Sequence, residues 1–247
     1  MIVYVASYPR SGNALVRSLI QLNWAYLTTS DAMIDLDVVA RFNPRYDISP
    51  HKSNPTLASF KRDDQSAIRN MLAPAVPLPT PMRRSLAKSP EIFFVKTHEW
   101  PRLPSFEGEK VIQIVRHPGD AILSEQQLKK DIRDKHAELT SIILGNEGYG
   151  CWSAYHGAWS AVSIPKLTLK FEEVAEDNET AVRQMAEFLG LPVPEQITHS
   201  PFEAAHAKNP TRNPVKRLDA WRKMEPDLRE LLKRQHAETG RLFGYEF

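Results

Sequence analysis

Residues 3–20 pass from a short apolar segment, Val3-Tyr4-Val5-Ala6, through a basic turn that holds Pro9, Arg10, Ser11 and Gly12. A second apolar run from Asn13 to Ile20 follows at once. This stretch constrains the fold more than any other, because strand–turn–helix units are the building blocks of parallel α/β sheets. The turn aims several backbone N–H groups at one point, and the helix N-terminus adds partial positive charge, so the unit is also a phosphate seat. Arg10 and Ser11 add a cation and a hydroxyl, and Gly12 permits close backbone approach. The competing reading of the same residues is an ordinary strand–helix turn.

The rest of the chain repeats the alternation. Residues 91–97, 110–115 and 166–170 read as further strands, and Val111-Ile112-Gln113-Ile114-Val115 is nearly continuous in apolar residues. Strands without polar alternation are covered on both faces, as in a parallel sheet between helices. Helical patterns are expected over 13–25, 57–72, 120–130, 149–162, 178–189 and 226–240, with Gly190 as the C-cap of the fifth. Pro74, Pro77, Pro79 and Pro81 exclude regular structure over 73–82, which reads as a lid or a surface connection. The fold class expected is α/β, a single parallel sheet flanked by helices, with residues 1–247 as one domain.

Composition narrows the partners. A formal net charge of +2 gives no argument for nucleic acid; a local basic pocket for an anionic ligand fits better. Cys151 is the only cysteine, which excludes an intramolecular disulfide and a cysteine-based zinc site. No leader-type apolar stretch precedes the first strand, and no run reaches transmembrane length, so a cytoplasmic protein without an integral membrane segment is expected. The sequence sets no oligomeric state.

Polar clusters stand where the expected strands end, which is where open α/β sheets bind ligands. They are Arg10-Ser11-Gly12-Asn13, Lys96-Thr97-His98, and Arg116-His117-Pro118-Gly119-Asp120 with Ser124 beyond. The first is not a Walker A loop, since it lacks that motif's first glycine and its lysine. Lys96 and His98 alternate, so an extended backbone turns both to one face. There the histidine suits a general base and the lysine a developing anion; a purely structural histidine is the alternative. Arg116 follows a buried strand and must face a ligand or a carboxylate, with Asp120 the nearest in sequence. Ser124 is either a ligand contact or a helix-surface serine.

The ordered set resembles the cytosolic-type sulfotransferase family, whose donor is 3′-phosphoadenylyl sulfate (PAPS). Tyr8-Pro9-Arg10-Ser11-Gly12-Asn13 resembles the family's 5′-phosphosulfate loop, Y-P-[KR]-S-G-[NT], and Lys96-Thr97-His98 its K-T-H strand end. Arg116 through Ser124 resembles the 3′-phosphate motif R-x-P-x-D-x-x-x-S. The stretch from Thr168 to Val174, followed by Phe188-Leu189-Gly190, resembles the Y-E-D-L strand and the F-L-G helix end. The resemblance implies that Arg10, Ser11, Gly12, Asn13 and the adjoining Ala14 hold the 5′-phosphosulfate. Arg116 and Ser124 would hold the 3′-phosphate. His98 would take the acceptor's proton, with Lys96 and Arg10 as the catalytic cations. Arg212, Lys216 and Arg217, before Trp221, are the candidates for the basic segment over the 3′-phosphate, although its usual glycines are missing.

No metal is implied. The acceptor implied is a small molecule with a hydroxyl or amine, lined by residues near 31–90 and 131–150, which read as irregular. Trp24, Tyr26, Phe42, Tyr46, Trp100, Tyr149 and Trp152 are candidates for an aromatic wall there or for the core. The size and loop pattern resemble bacterial small-molecule sulfotransferases.

Two positions depart from the family. Many relatives continue S-G-[NT]-T-W, with a hydroxyl on phosphate and an aromatic ring on adenine; here Ala14 and Leu15 stand instead. A catalytically weak or inactive nucleotide-binding scaffold is therefore the alternative reading, and a P-loop kinase a more distant one.

Overall fold

Four strands lie side by side in the order β3-β1-β4-β5, all parallel: β1 (Ile2–Ser7), β3 (Phe93–Thr97), β4 (Glu109–Val115) and β5 (Lys166–Lys170). A two-residue strand, β2 (Thr29–Ser30), adds to the free edge of β3. The computed structural model describes residues 1–24, 26, 29–30, 80–133, 137–147, 149–200 and 218–247. The expected helical pattern over 57–72 lies outside the described residues.

Alternation along the strands explains the two helical layers. Val3 and Val5 of β1, with Ile112 and Ile114 of β4, face α1 (Asn13–Trp24) and a later helix, α7 (Asn178–Leu189). Ala6, Val111 and Val115 face the other way, into an aromatic layer that contains Trp152, Tyr155 and Trp159 of α5 (Trp152–Ala161). Side chains two apart share a face. Both faces are buried, so the strands read as continuous apolar runs.

The register aligns the strand ends. Ala6 sits opposite Thr97, and Ser7 opposite Ile114. The turns after β1, β3 and β4 therefore leave the sheet along one edge. The helix after β1 packs on one face; α3 (Pro118–Arg133), which follows β4, carries Ala121 into the core of the other. A crevice opens at such a divergence in α/β sheets.

Several elements differ from the sequence expectation. Regular structure begins inside the proline-rich segment, with α2 (Thr80–Ala87). Pro81 stands in its first turn, where a missing N–H costs nothing because that group has no intrahelical acceptor. Arg83 then anchors this helix through a buried bidentate pair with Glu109. The range 131–150 is not wholly irregular, since it holds the end of α3 and a short helix, α4 (Leu139–Leu144), closed by Gly145 at φ 81°. β5 ends at Lys170, as the sequence pattern expects, but the stretch from Thr168 to Val174 that resembles one strand motif is divided, because Phe171 opens α6 (Phe171–Glu176). A 3₁₀ turn at Ala220–Lys223 and the final helix α8 (Pro226–Leu242) complete the described chain. Asp177 caps α7 by accepting from Thr180 N at 3.0 Å, and Gly190 ends it at φ 70°, as the sequence pattern requires.

Candidate active site

The loop after β1 is wound tightly. Ser11 N donates to Tyr8 O at 3.2 Å, with Arg10 at φ 64° and Gly12 at φ 98°. A side chain at residue 12 would run into the ring of Phe171, so glycine is required there by space as well as by φ. The helix ladder starts with Val16 N donating to Gly12 O at 3.2 Å. The N–H groups of Asn13, Ala14 and Leu15 thus belong to the first turn, which has no intrahelical acceptors to offer them. Ser11 Oγ lies buried with no partner among the described residues. A buried hydroxyl without a partner beside first-turn N–H groups and an arginine fits an anionic group of phosphate size. Ala14 is exposed at this point, while Leu15 is buried in the core and offers no surface to a base.

His98 stands just beyond β3, and the end of β1 fixes it. His98 Nδ1 lies 2.7 Å from Ser7 O. A carbonyl only accepts, so Nδ1 carries the proton and Nε2 keeps its lone pair. Burial depresses the imidazole from 6.5 to about 3, and the charge of Lys96 adds to this. The Ser7 carbonyl opposes the shift, while Arg17 and Arg10 deepen it. The ring is neutral at physiological pH. Tyr149 meets it edge-to-face with centroids 5.6 Å apart.

The end of β4 joins the same cluster. Arg116 is 5% exposed; its Nη1 donates to Arg10 O at 2.9 Å, and its guanidinium lies 4.5 Å from the centroid of Phe171. Arg10 Nε in turn donates to Ser124 Oγ at 3.1 Å. Arg10, Ser124, Arg116 and the loop backbone therefore converge, because β1 and β4 are neighbours in the sheet. Burial lowers the Arg116 guanidinium, with Asp120 and Glu172 acting against that shift.

Asp120, whose charge supports that of Arg116, has a further hydrogen-bonding task. Its carboxylate accepts from Asp219 N at 2.9 Å and Trp221 N at 3.1 Å, and so ties a distant segment to the Arg116 loop. Trp221 stacks on His117 with centroids 4.5 Å apart and planes 13° apart. His117 N donates to Glu172 Oε1 at 3.0 Å, and Tyr245 Oη to Glu172 Oε2 at 2.8 Å. Glu172, Trp221 and Tyr245 thus hold the Arg116–Asp120 turn, a task that no local sequence signal marks. Arg212, Lys216 and Arg217 lie outside the described residues, as do Phe42 and Tyr46.

Of the other aromatic candidates, Trp24, Tyr26 and Trp152 are core residues. Trp100 is 46% exposed, and Tyr149 faces His98. Among the described residues, no group of three or more His, Cys, Asp or Glu side chains could hold a metal ion. No helix among them is long and apolar enough to cross a membrane.

The comparisons with known proteins agree with this architecture. A family model described as "Sulfotransferase domain" matches residues 2–236. In fold, the chain is similar to the mouse sulfotransferase SULT7A1 solved in complex with PAP. The TM-score is 0.59 at 17% identity, over 97% of this chain and 84% of that one. A sulfotransferase from Alicyclobacillus acidocaldarius gives a TM-score of 0.51 at 16% identity, over 99% of this chain and 96% of that one. The sulfotransferase domain of the Synechococcus PCC 7002 olefin synthase gives 0.53 at 15% identity, over 100% and 95%. No curated protein matches the chain in sequence.

Proposed function

The chain belongs to the sulfotransferase domain family, and from that premise we propose that it moves a sulfuryl group from PAPS to a hydroxyl or amine of a small molecule, with His98 as general base. The observation that carries the reading is the mutual contact of three strand ends. His98 hangs on Ser7 O, Arg116 on Arg10 O, and Arg10 on Ser124.

The donor supplies the sulfuryl group, and the chain's residues hold it and manage one proton. Ser11 Oγ, the first-turn N–H groups and Arg10 suit its 5′ end, and Arg116 with Ser124 its 3′-phosphate. PAP in the mouse neighbour's structure is consistent with that donor. His98 Nε2 takes the proton of the acceptor hydroxyl as the acceptor oxygen bonds to sulfur. The bond from sulfur to the 5′-phosphate oxygen breaks, and its electron pair leaves with adenosine 3′,5′-bisphosphate. Arg10 and Lys96 supply positive charge where negative charge builds on the departing phosphate. Burial first, and then the same cations, keep His98 neutral before the donor enters. The donor's negative charge offsets them and raises the basicity of Nε2.

The core position of Leu15 favours a second reading, a binding-only protein with a weakened adenine seat. The test that separates the two is turnover of PAPS over a panel of phenols, alcohols and amines by wild type and His98→Ala. Transfer by wild type, lost in a variant that still binds adenosine 3′,5′-bisphosphate, supports the enzyme reading. Equal turnover would remove His98 from the reaction, and no transfer by either would favour the binding-only protein.

A further inference from the structure

Asn13 belongs to the donor loop by sequence, but its side chain is engaged elsewhere. An amide NH₂ has two protons to donate. Both have protein acceptors here: Nδ2 lies 3.0 Å from Val5 O and 3.1 Å from Ser7 Oγ. The residue is buried, and its Oδ1, which has no partner among the described residues, carries no proton to offer a phosphate. Only the backbone N–H of Asn13 is left for an anion.

What the amide holds is the end of β1 from which His98 is oriented. Ser7 O accepts from His98 Nδ1 at 2.7 Å, and Ser7 Oγ lies 3.4 Å from the same nitrogen. If the Ser7 peptide turned, Nδ1 would lose its acceptor and the proton could move to Nε2. In that tautomer Nε2 has no lone pair with which to take a proton from an acceptor.

We infer that Asn13 is a positioning residue for His98: its amide pins the end of β1, so that Ser7 keeps the proton on Nδ1 and leaves Nε2 as the base. The inference rests on the reading of His98 as the base. One residue then serves both halves of the site, its backbone turned to the donor loop and its side chain to the strand end that sets the base.

The experiment compares Asn13→Ala and Asn13→Thr with wild type and His98→Ala. In Asn13→Ala, kcat for sulfuryl transfer is expected to fall about tenfold or more. The Kd for adenosine 3′,5′-bisphosphate is expected to stay within about twofold. In ¹⁵N-histidine-labelled protein, the His98 signals should move toward the Nε2–H tautomer. Asn13→Thr, with one hydroxyl donor, should recover part of both losses, and it supplies the comparison should Asn13→Ala not fold. Wild-type kcat with an unchanged tautomer in these variants, while His98→Ala is inactive, would overturn the inference. So would a rate loss matched by an equal loss of nucleotide affinity, which would assign the side chain to the donor seat. Should His98→Ala retain full turnover, the base reading fails, and the tautomer signals alone decide whether Asn13 sets the His98 proton.

Discussion

His156 is a buried titratable group with a measurable consequence. It is 0% exposed on α5 and packs against Trp152, Tyr155 and Phe243. Gln113 Nε2 lies 3.2 Å from its Nδ1. An amide NH₂ can only donate, so Nδ1 is the acceptor and the proton sits on Nε2. Charging the ring would turn Nδ1 into a donor aimed at a donor. Burial, and then the neighbouring His236, depress its pKa from 6.5 to about 3. The folded value lies below the unfolded one, so acid favours the unfolded chain. This contribution to stability is complete above about pH 6.5 and is lost progressively as pH falls toward 3. At about one pH unit below 6.5, proton binding favours the unfolded state by roughly 1.4 kcal/mol for this group alone. His156→Asn keeps an acceptor near the Nδ1 position and removes the titration; its packing loss does not vary with pH. Urea unfolding at pH 7.5 and 5.5 should show wild type losing about 1.4 kcal/mol more than the variant over that interval. Equal losses in the two proteins would refute the reasoning.

Two further outcomes follow from the site. Asp120→Ala leaves the N–H groups of Asp219 and Trp221 without their carboxylate, which should cost about 2–4 kcal/mol in urea unfolding and alter Trp221 fluorescence. A change near zero would mean that the carboxylate does not hold that segment. Lys96→Met removes the largest cationic cause of the depressed His98 pKa, which is second to burial. The imidazole should then titrate at higher pH in an NMR titration, and an unmoved midpoint would contradict the placement of Lys96 beside it.

The sequence exposes the parts of the molecule whose signals are local. β1, β3 and β4 are near-continuous apolar runs, and each ends in a polar cluster, so the sheet edge and the polar clusters along it can be read without coordinates. Residues 139–144 do not announce their helix, because six residues are too few for a helical period to appear. Pro81 reads as a breaker, although a helix tolerates it in the first turn. Phe171 continues the apolar character of β5, yet Gly12 packs against its ring and α6 begins there. The clamp made by Glu172, Trp221 and Tyr245 depends on contacts between residues 55 to 101 positions apart, which no single-sequence pattern contains. Asn13 belongs to a recognisable loop, but only the direction of its amide separates a ligand contact from a strand clamp.

Titration calorimetry of adenosine 3′,5′-bisphosphate, adenosine 5′-phosphate and ATP, into wild type and Arg116→Ala, tests the donor assignment most directly. Binding of the bisphosphate about tenfold or more tighter than the monophosphate, with the difference lost in Arg116→Ala, is the predicted result. Equal affinity for the bisphosphate and the monophosphate, or a preference for ATP, would contradict the account.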